Sequence, residues 1–349
     1  MKKILFLILI INCSLNVYKL KAQEIEGDLD SMFTNPVWDG ADPWLIKHNY
    51  YYYYCHSSTK GITVCKSTRL TEKGECKVVW DRPKEGWNSM HLWAPELHYI
   101  RGKWYIYYTG GVSGPPFIHQ KAGVLEAQTD DPQGNYTDRG ILATGEDPLD
   151  NSKAIWAIDM TVFELNKKLY AVWSGWLQPA KTDKTPQHLY IAPMSNPYTI
   201  SGKRVLLSSP VEKWETGGPL DLQEGPQILQ SDKDFFIIYS CRESWTKEYR
   251  LGQLRLKSLK SDPLKPENWI KSGPIFEGTE DVYGVGHCSF VKSPDNKEDW
   301  IIYHSKKGVE PNWNRDVRMQ KFGWNKYGSP DFGKPVKAGL KINRPSGEK

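Results

Sequence analysis

Residues 96–108 read Glu-Leu-His-Tyr-Ile-Arg-Gly-Lys-Trp-Tyr-Ile-Tyr-Tyr. A mostly apolar run, a polar turn at Arg101-Gly102 and a run of aromatic and β-branched side chains describe a tight hairpin. Such side chains suit a pleated strand, and the turn residues suit its reversal. The pattern recurs at residues 42–54, 159–173, 224–239 and 287–303. The other turns are His48-Asn49, Asn166-Lys167, Asp232-Lys233 and Ser293-Pro294-Asp295. The second strands read YYYYYC, KWYIYYT, KLYAVWSG, DFFIIYS and DWIIYHS. Tyr107, Val172, Ile238 and Ile302 follow one another at steps of 65, 66 and 64, and Tyr53 precedes Tyr107 by 54. A step of about 65 residues holds about four strands with their loops. Five such units predict an all-β chain folded as a five-bladed β-propeller. The near absence of helical periodicity and the 29 Gly and 23 Pro that supply turns agree with this. A β-sandwich would not repeat one hairpin five times. No linker or composition break interrupts residues 30–345, so one domain is expected over residues 23–349. Residues 318–332 are expected to supply two short strands that complete the fifth blade.

The 349-residue chain carries 46 Lys and Arg against 41 Asp and Glu, a formal charge of +5. Lys2 and Lys3 precede an apolar run from Ile4 to Ile11, and small Ala22 precedes Gln23. A basic end, an apolar middle and a small residue at the cut form a secretory signal peptide, expected at residues 1–22. The run is far shorter than the ~20 residues needed to span a bilayer. Removing Lys2, Lys3, Lys19 and Lys21 leaves 42 basic and 41 acidic side chains. A near-neutral mature chain without a basic run excludes a nucleic-acid partner. It also implies no stable membrane insertion once the leader is cut. A secreted or periplasmic location follows, which permits disulfides. Five Cys remain after cleavage, so up to two bridges can form and at least one thiol is left over. The spacing does not assign them, and small buried side chains are an equal reading.

The first strands open at Ala41-Asp42-Pro43, Ala94-Pro95-Glu96, Ile158-Asp159-Met160, Gln223-Glu224-Gly225 and Gly286-His287-Cys288. Four openings carry a carboxylate and the fifth a histidine. In a propeller the innermost strands line the central axis, so equivalent positions of different blades become neighbours. Converging carboxylates raise one another's pKa. Two carboxyl groups with separated pKa values are what glycosidic bond cleavage needs, one as acid and one as base or nucleophile. Singly, each could instead tie off a turn. Asp42, Asp159 and Glu224 together favour chemistry, and Glu96, after Trp93-Ala94-Pro95, is the member most open to facing into its blade. Asp39, Asp147, Glu215 and Asp221 read as loop carboxylates.

These residues carry a resemblance. Gly40-Ala41-Asp42-Pro43, Leu92-Trp93-Ala94-Pro95-Glu96, Trp156-Ala157-Ile158-Asp159, Glu224-Gly225-Pro226, Gly284-Val285-Gly286-His287 and Arg318-Met319-Gln320 stand in the order found in glycoside hydrolase family 43. The chain resembles that family over nearly all of its mature length. Residues 169–176, 189–197 and 320–332 are similar to its exo-acting α-L-arabinofuranosidases of the arabinan-degrading branch. Met160 departs from the small residue common in close members, which bears on the fit of the sugar.

The resemblance implies an inverting hydrolase with Asp42 as general base, Glu224 as general acid and Asp159 as the carboxylate that tunes and orients the acid. It implies Arg318 beside the innermost sugar, where its permanent charge would hold Asp42 ionised. His287 has three readings: a sugar hydrogen bond, a channel cation such as Ca2+ or its waters, or a satisfied core histidine. No cofactor is required for the chemistry. Trp93 and Trp176, beside the channel segments, are the foremost sugar platforms, with Trp87 behind them. The expected partner is a plant cell-wall oligo- or polysaccharide, arabinan or arabinoxylan, bound by a monomer. β-Xylosidase or endo-arabinanase action on the same scaffold is the alternative. A carbohydrate-binding propeller without turnover would not need all three acids, and a protein-interaction propeller would carry a more apolar face.

Overall fold

The computed structural model describes residues 31–349. The expected leader therefore lies outside the described residues. Antiparallel sheets follow one another along the chain as five blades around an axis. Blade one consists of Trp44–His48, Tyr51–Ser57, Gly61–Ser67 and Glu75–Asp81. Blade two consists of Met90–Ile100, Lys103–Gly111, Lys121–Ala127 and Tyr136–Ile141. Blade three begins with Ala157–Leu165, Lys168–Gly175 and His188–Asn196, and is edged by Thr199–Ile200 and Val205–Ser208. Blade four holds Gln223–Gln230, Phe235–Cys241, Arg250–Leu256 and Trp269–Glu277. Among the described residues the only helical turns are the short Asn151–Lys153 and Pro266–Asn268.

Blade five holds the two strands expected from the tail, together with one strand the sequence did not predict. Tyr283–Lys292, Asp299–Lys306 and Arg315–Trp324 form its inner three strands. Its outer strand is Trp38–Asp39, from the other end of the chain, paired antiparallel to Val317 and Asp316. The tail gives that one long third strand, a two-residue strand, Pro330–Asp331, beyond it, and Lys341–Asn343, which pairs antiparallel with Met32–Thr34. The outer edge of blade five is thus completed by the first part of the chain, and the two ends of the chain also pair with each other. The short apolar stretch before the first hairpin gave no repeat signal of its own.

The aromatic runs pack on both faces. Side chains alternate across a strand. In blade two, Trp104, Ile106 and Tyr108 face blade one, while Tyr105 and Tyr107 face blade three. In blade four, Phe235, Ile237 and Tyr239 face blade three, and Phe236 and Ile238 face blade five. A fifth cluster, with Tyr52, Tyr54, Ile302 and Val317, fills the wedge between blades five and one. Strands covered on both faces read as continuous apolar runs. Cys65 and Cys76 form a disulfide across the outer hairpin of blade one. Cys55, Cys241 and Cys288 are buried thiols, so both expectations for cysteine hold in part.

Candidate active site

The inner strands share a local distortion that builds the site. Tyr107, Val172, Ile238 and Ile302 pair with Glu96, Thr161, Gln227 and Ser289. In each case the register shifts just before that residue, as at a β-bulge. Two residues upstream the backbone turns left-handed, at Ala94 (φ 40°), Asp159 (54°), Gly225 (54°) and His287 (45°), and Asp42 (48°) does the same in blade one. Non-glycine residues pay for this conformation, and it recurs where function re-aims a side chain.

This register corrects the sequence alignment of the blade openings. Asp42, Asp159 and His287 occupy one corner position, and Ala94 fills it in blade two. Glu224 stands one residue before its corner, and Glu96 two residues after. Glu96 is buried, bonded to His98 Nε2 at 2.9 Å and accepting from the Gln227 amide. Its neighbours tie it down, so it is not presented to the cavity.

The corners at Asp42, Asp159 and His287 are each fastened to the preceding blade. Thr109 Oγ1 accepts the Asp159 N–H at 3.3 Å, and Ser240 Oγ accepts the His287 N–H at 2.8 Å. Between blades five and one, His304 Nδ1 accepts the Asp42 N–H at 3.1 Å. The same Nδ1 lies 3.2 Å from Asp42 Oδ1, so the ring holds both the backbone and the carboxylate of that residue. Burial, the largest influence, pushes the His304 pKa down to about 4, which keeps the ring neutral near pH 7. His304 was not among the sequence candidates. Its signal was present: it occupies the repeat position filled by Thr109, Ser174 and Ser240.

A cavity of about 800 Å³ opens over these corners, lined by Asp42, Asp159, Glu224 and His287 together. Asp42 Oδ1 lies 3.2 Å from Arg315 Nη1 and 3.3 Å from His287 Nδ1. His287 Nδ1 is also 3.9 Å from Asp159 Oδ2, and that oxygen accepts the Gly225 N–H at 3.0 Å. Asp159 thereby grips the residue that follows Glu224. Glu224 Oε1 accepts the Tyr249 hydroxyl at 2.9 Å.

The three carboxyl groups are tuned apart. Burial, the largest single influence, would raise the pKa of Asp42, but the Arg315 guanidinium together with His287 and His304 outweighs it and holds the group far below the usual range. Burial is the largest influence on Glu224. Together with the charges of Asp42 and Glu243 it pushes that pKa up to about 7, against Tyr249 and Arg315. Asp159 is raised well above the usual range, first by burial and then by Glu224 and Asp42, with the Gly225 N–H opposing. The lift expected on Glu224 from Asp159 is therefore mainly a burial effect. The site keeps a proton on its Asp159–Glu224 side and a negative charge on Asp42. That is an acid and a base in one cavity.

Two expected sugar-site residues lie elsewhere. Arg318 is buried and committed to the fold, donating to Ser305 Oγ (2.7 Å), Asp316 Oδ1 (3.2 Å) and Val336 O (3.1 Å). Arg315 takes the assigned place. An odd spacing of three on one strand turns the two side chains to opposite faces, and Arg315 begins the strand at the cavity end. Trp176 is buried behind Trp156, their rings stacked at 4.6 Å and 4°, and Trp156 is the one that lines the cavity. Trp87 packs on Tyr108. Trp93 does line the cavity, with Phe117 edge-on to it at 5.1 Å. Trp245 and Trp313, their rings 5.1 Å apart, also line the cavity.

His287 reaches the cavity, but among the described residues no group of three or more His, Cys, Asp and Glu side chains converges to hold a metal ion. A hard cation takes six to eight oxygens, and the His287 ring is turned to two carboxylates.

The family model for "Glycosyl hydrolases family 43" matches residues 33–330. The chain belongs to glycosyl hydrolase family 43. Among family 43 relatives, it is 34% identical over 324 residues to an extracellular exo-α-(1→5)-L-arabinofuranosidase of Streptomyces avermitilis, covering 88% of this chain and 64% of the relative. It is 33% identical over 314 residues to α-L-arabinofuranosidase 43 of Humicola insolens, covering 86% and 62%. The chain thus spans less than two thirds of the length of these curated relatives. The crystal structure of an α-L-arabinofuranosidase from Lactobacillus brevis superposes with a TM-score of 0.78 at 32% identity, covering 88% of this chain and 98% of that one.

Proposed function

We propose that this family 43 chain is an exported glycoside hydrolase that removes α-L-arabinofuranosyl residues from arabinan or arabino-oligosaccharides with inversion. The observation that carries the reading is the pairing, in one cavity, of a carboxyl whose pKa is raised to about 7 (Glu224) with one held ionised by Arg315 and its histidine neighbours (Asp42). Water attacks the anomeric carbon and gives its proton to Asp42. The bond from that carbon to the leaving oxygen breaks, and Glu224 protonates the oxygen. An α-linkage thus yields the β-sugar, as in inverting pairs generally. Asp159 anchors Gly225 and through it the acid. Trp93, Trp156 and Phe117 offer apolar faces to the sugar rings. The relatives' names support arabinofuranose as the sugar and an extracellular location.

The test is a panel of nitrophenyl α-L-arabinofuranoside, nitrophenyl β-D-xyloside and linear arabinan. Release of arabinose alone is expected, without an early loss of polymer viscosity. Preference for the xyloside, or rapid thinning of arabinan, would move the assignment to β-xylosidase or endo-arabinanase. Glu224→Ala and Asp42→Ala should each lower turnover of arabino-oligosaccharides by about 10²–10⁴-fold, the usual worth of a general acid or base.

A further inference from the structure

Tyr249 lies one residue before the third strand of blade four, outside the inner strands that supply the carboxylates. It is fully buried. Its ring is fixed on two sides. It stacks on His304 at 5.3 Å and 8°. It also fills the space over Gly286, where an added Cβ would come within 2.3 Å of Tyr249 Cε1. Its hydroxyl donates to Glu224 Oε1 at 2.9 Å. Ser240 Oγ accepts the His287 N–H at 2.8 Å. Burial, ahead of every other influence, raises the phenol pKa well above its usual value, so the hydroxyl remains a donor.

We propose that Tyr249 is a positioning residue for the acid: by occupying Oε1 of Glu224 it places the transferable proton on Oε2. This rests on the reading of Glu224 as the acid. A protonated carboxyl has one hydroxyl oxygen and one carbonyl-type oxygen, and a donor hydrogen-bonds the latter. Among the described residues Oε2 has no partner, and Glu224 lines the cavity. The proton therefore sits on the oxygen that can meet a leaving group, and rotation of the carboxyl is blocked. His304, which fastens Asp42, holds the Tyr249 ring.

Tyr249→Phe keeps the ring and its stack while deleting the hydroxyl. The comparison is between α-1,5-arabinobiose, whose leaving sugar needs the proton, and nitrophenyl α-L-arabinofuranoside, whose nitrophenolate departs largely without it. Losing proton direction should cost ~10-fold in kcat/KM on arabinobiose, a fraction of a general acid's full worth, and under about 3-fold on the nitrophenyl substrate. The phenol donor favours ionised Glu224, so its removal moves the alkaline limb of the pH profile to higher pH. An unmoved alkaline limb, or equal losses on the two substrates, overturns the role of Tyr249. Glu224→Ala separates the two claims. If that variant retains activity on arabinobiose, the acid assignment itself is wrong, whatever Tyr249→Phe does.

Discussion

At the scale of single residues, the central pair is Arg315 and Asp42. Arg315 lowers the pKa of Asp42, and it also pulls down that of Glu224. Activity requires Asp42 ionised and Glu224 protonated, so the alkaline limb of kcat/KM is expected near pH 7. Replacing Arg315 with Met removes a positive charge from both groups, and both pKa values rise. The acid limb and the alkaline limb should therefore shift upward together. The loss of a charge-assisted hydrogen bond, about 1.5–3 kcal/mol, corresponds to about 10–100-fold in kcat/KM at the optimum. Arg318→Met should leave both limbs where they are and lower the melting temperature, because that guanidinium serves Ser305, Asp316 and Val336. A pH profile of each variant decides which arginine serves the cavity.

At the scale of elements, the strand carrying Glu224 is held by a buried knot. Glu215 Oε1 accepts from Gln223 Nε2 and the Tyr239 hydroxyl, each at 2.6 Å. Its Oε2 accepts from the N–H groups of Val211 and Glu212 and from Lys271 Nζ, each at 3.0 Å. Glu215→Ala would strand these donors, a loss of about 3–5 kcal/mol for one partner of a buried ion pair. Urea unfolding would read this as a lower midpoint. The pH sign follows from the direction of the shift. Burial would raise the Glu215 pKa, but its hydrogen bonds and Lys271 leave it below its ordinary value. Its stabilisation is thus present above that value and is lost as pH falls through the folded pKa. A wild-type midpoint that did not drop more steeply in acid than that of Glu215→Ala would contradict this.

The sequence left Glu215 as a loop carboxylate because its partners come from four separate segments. The reverse holds for Asp42, Asp159, Glu224 and His287, which were legible because one repeat puts them at the starts of inner strands. Arg315, Tyr249 and Trp156 were not, since they come from ends of strands and loops that the repeat does not align. His304 was legible in principle, as the one ring among hydroxyls at its repeat position. The propeller itself could be read because each aromatic run must serve two wedges of core at once.

At the scale of the whole molecule, the base is assembled across the seam of the ring. Asp42 belongs to the crossing between the outer strand of blade five and the first strand of blade one. Its partners Arg315 and His304 both belong to blade five. Closure at this seam is non-covalent. The Val37 N–H meets Val317 O at 2.9 Å. Asn35, buried, donates to Met319 O at 2.8 Å and accepts the Met319 N–H at 3.0 Å, so its amide stands in for a strand backbone. Asn35→Ala would leave both Met319 groups unpaired, at a cost of about 1–3 kcal/mol each. For a domain of this size that is a fall of roughly 3–10 °C in melting temperature. Asn35 does not line the cavity, so kcat/KM at 25 °C should stay within about twofold of wild type, as for a change away from the reacting groups. Because opening the seam parts Asp42 from Arg315 before any blade need unfold, activity in this variant should be lost on heating below the transition seen by tryptophan fluorescence. Coincident loss of activity and fluorescence, at an unchanged midpoint, would mean that the ring is held shut by the wedge of core between blades five and one, and not by its edge.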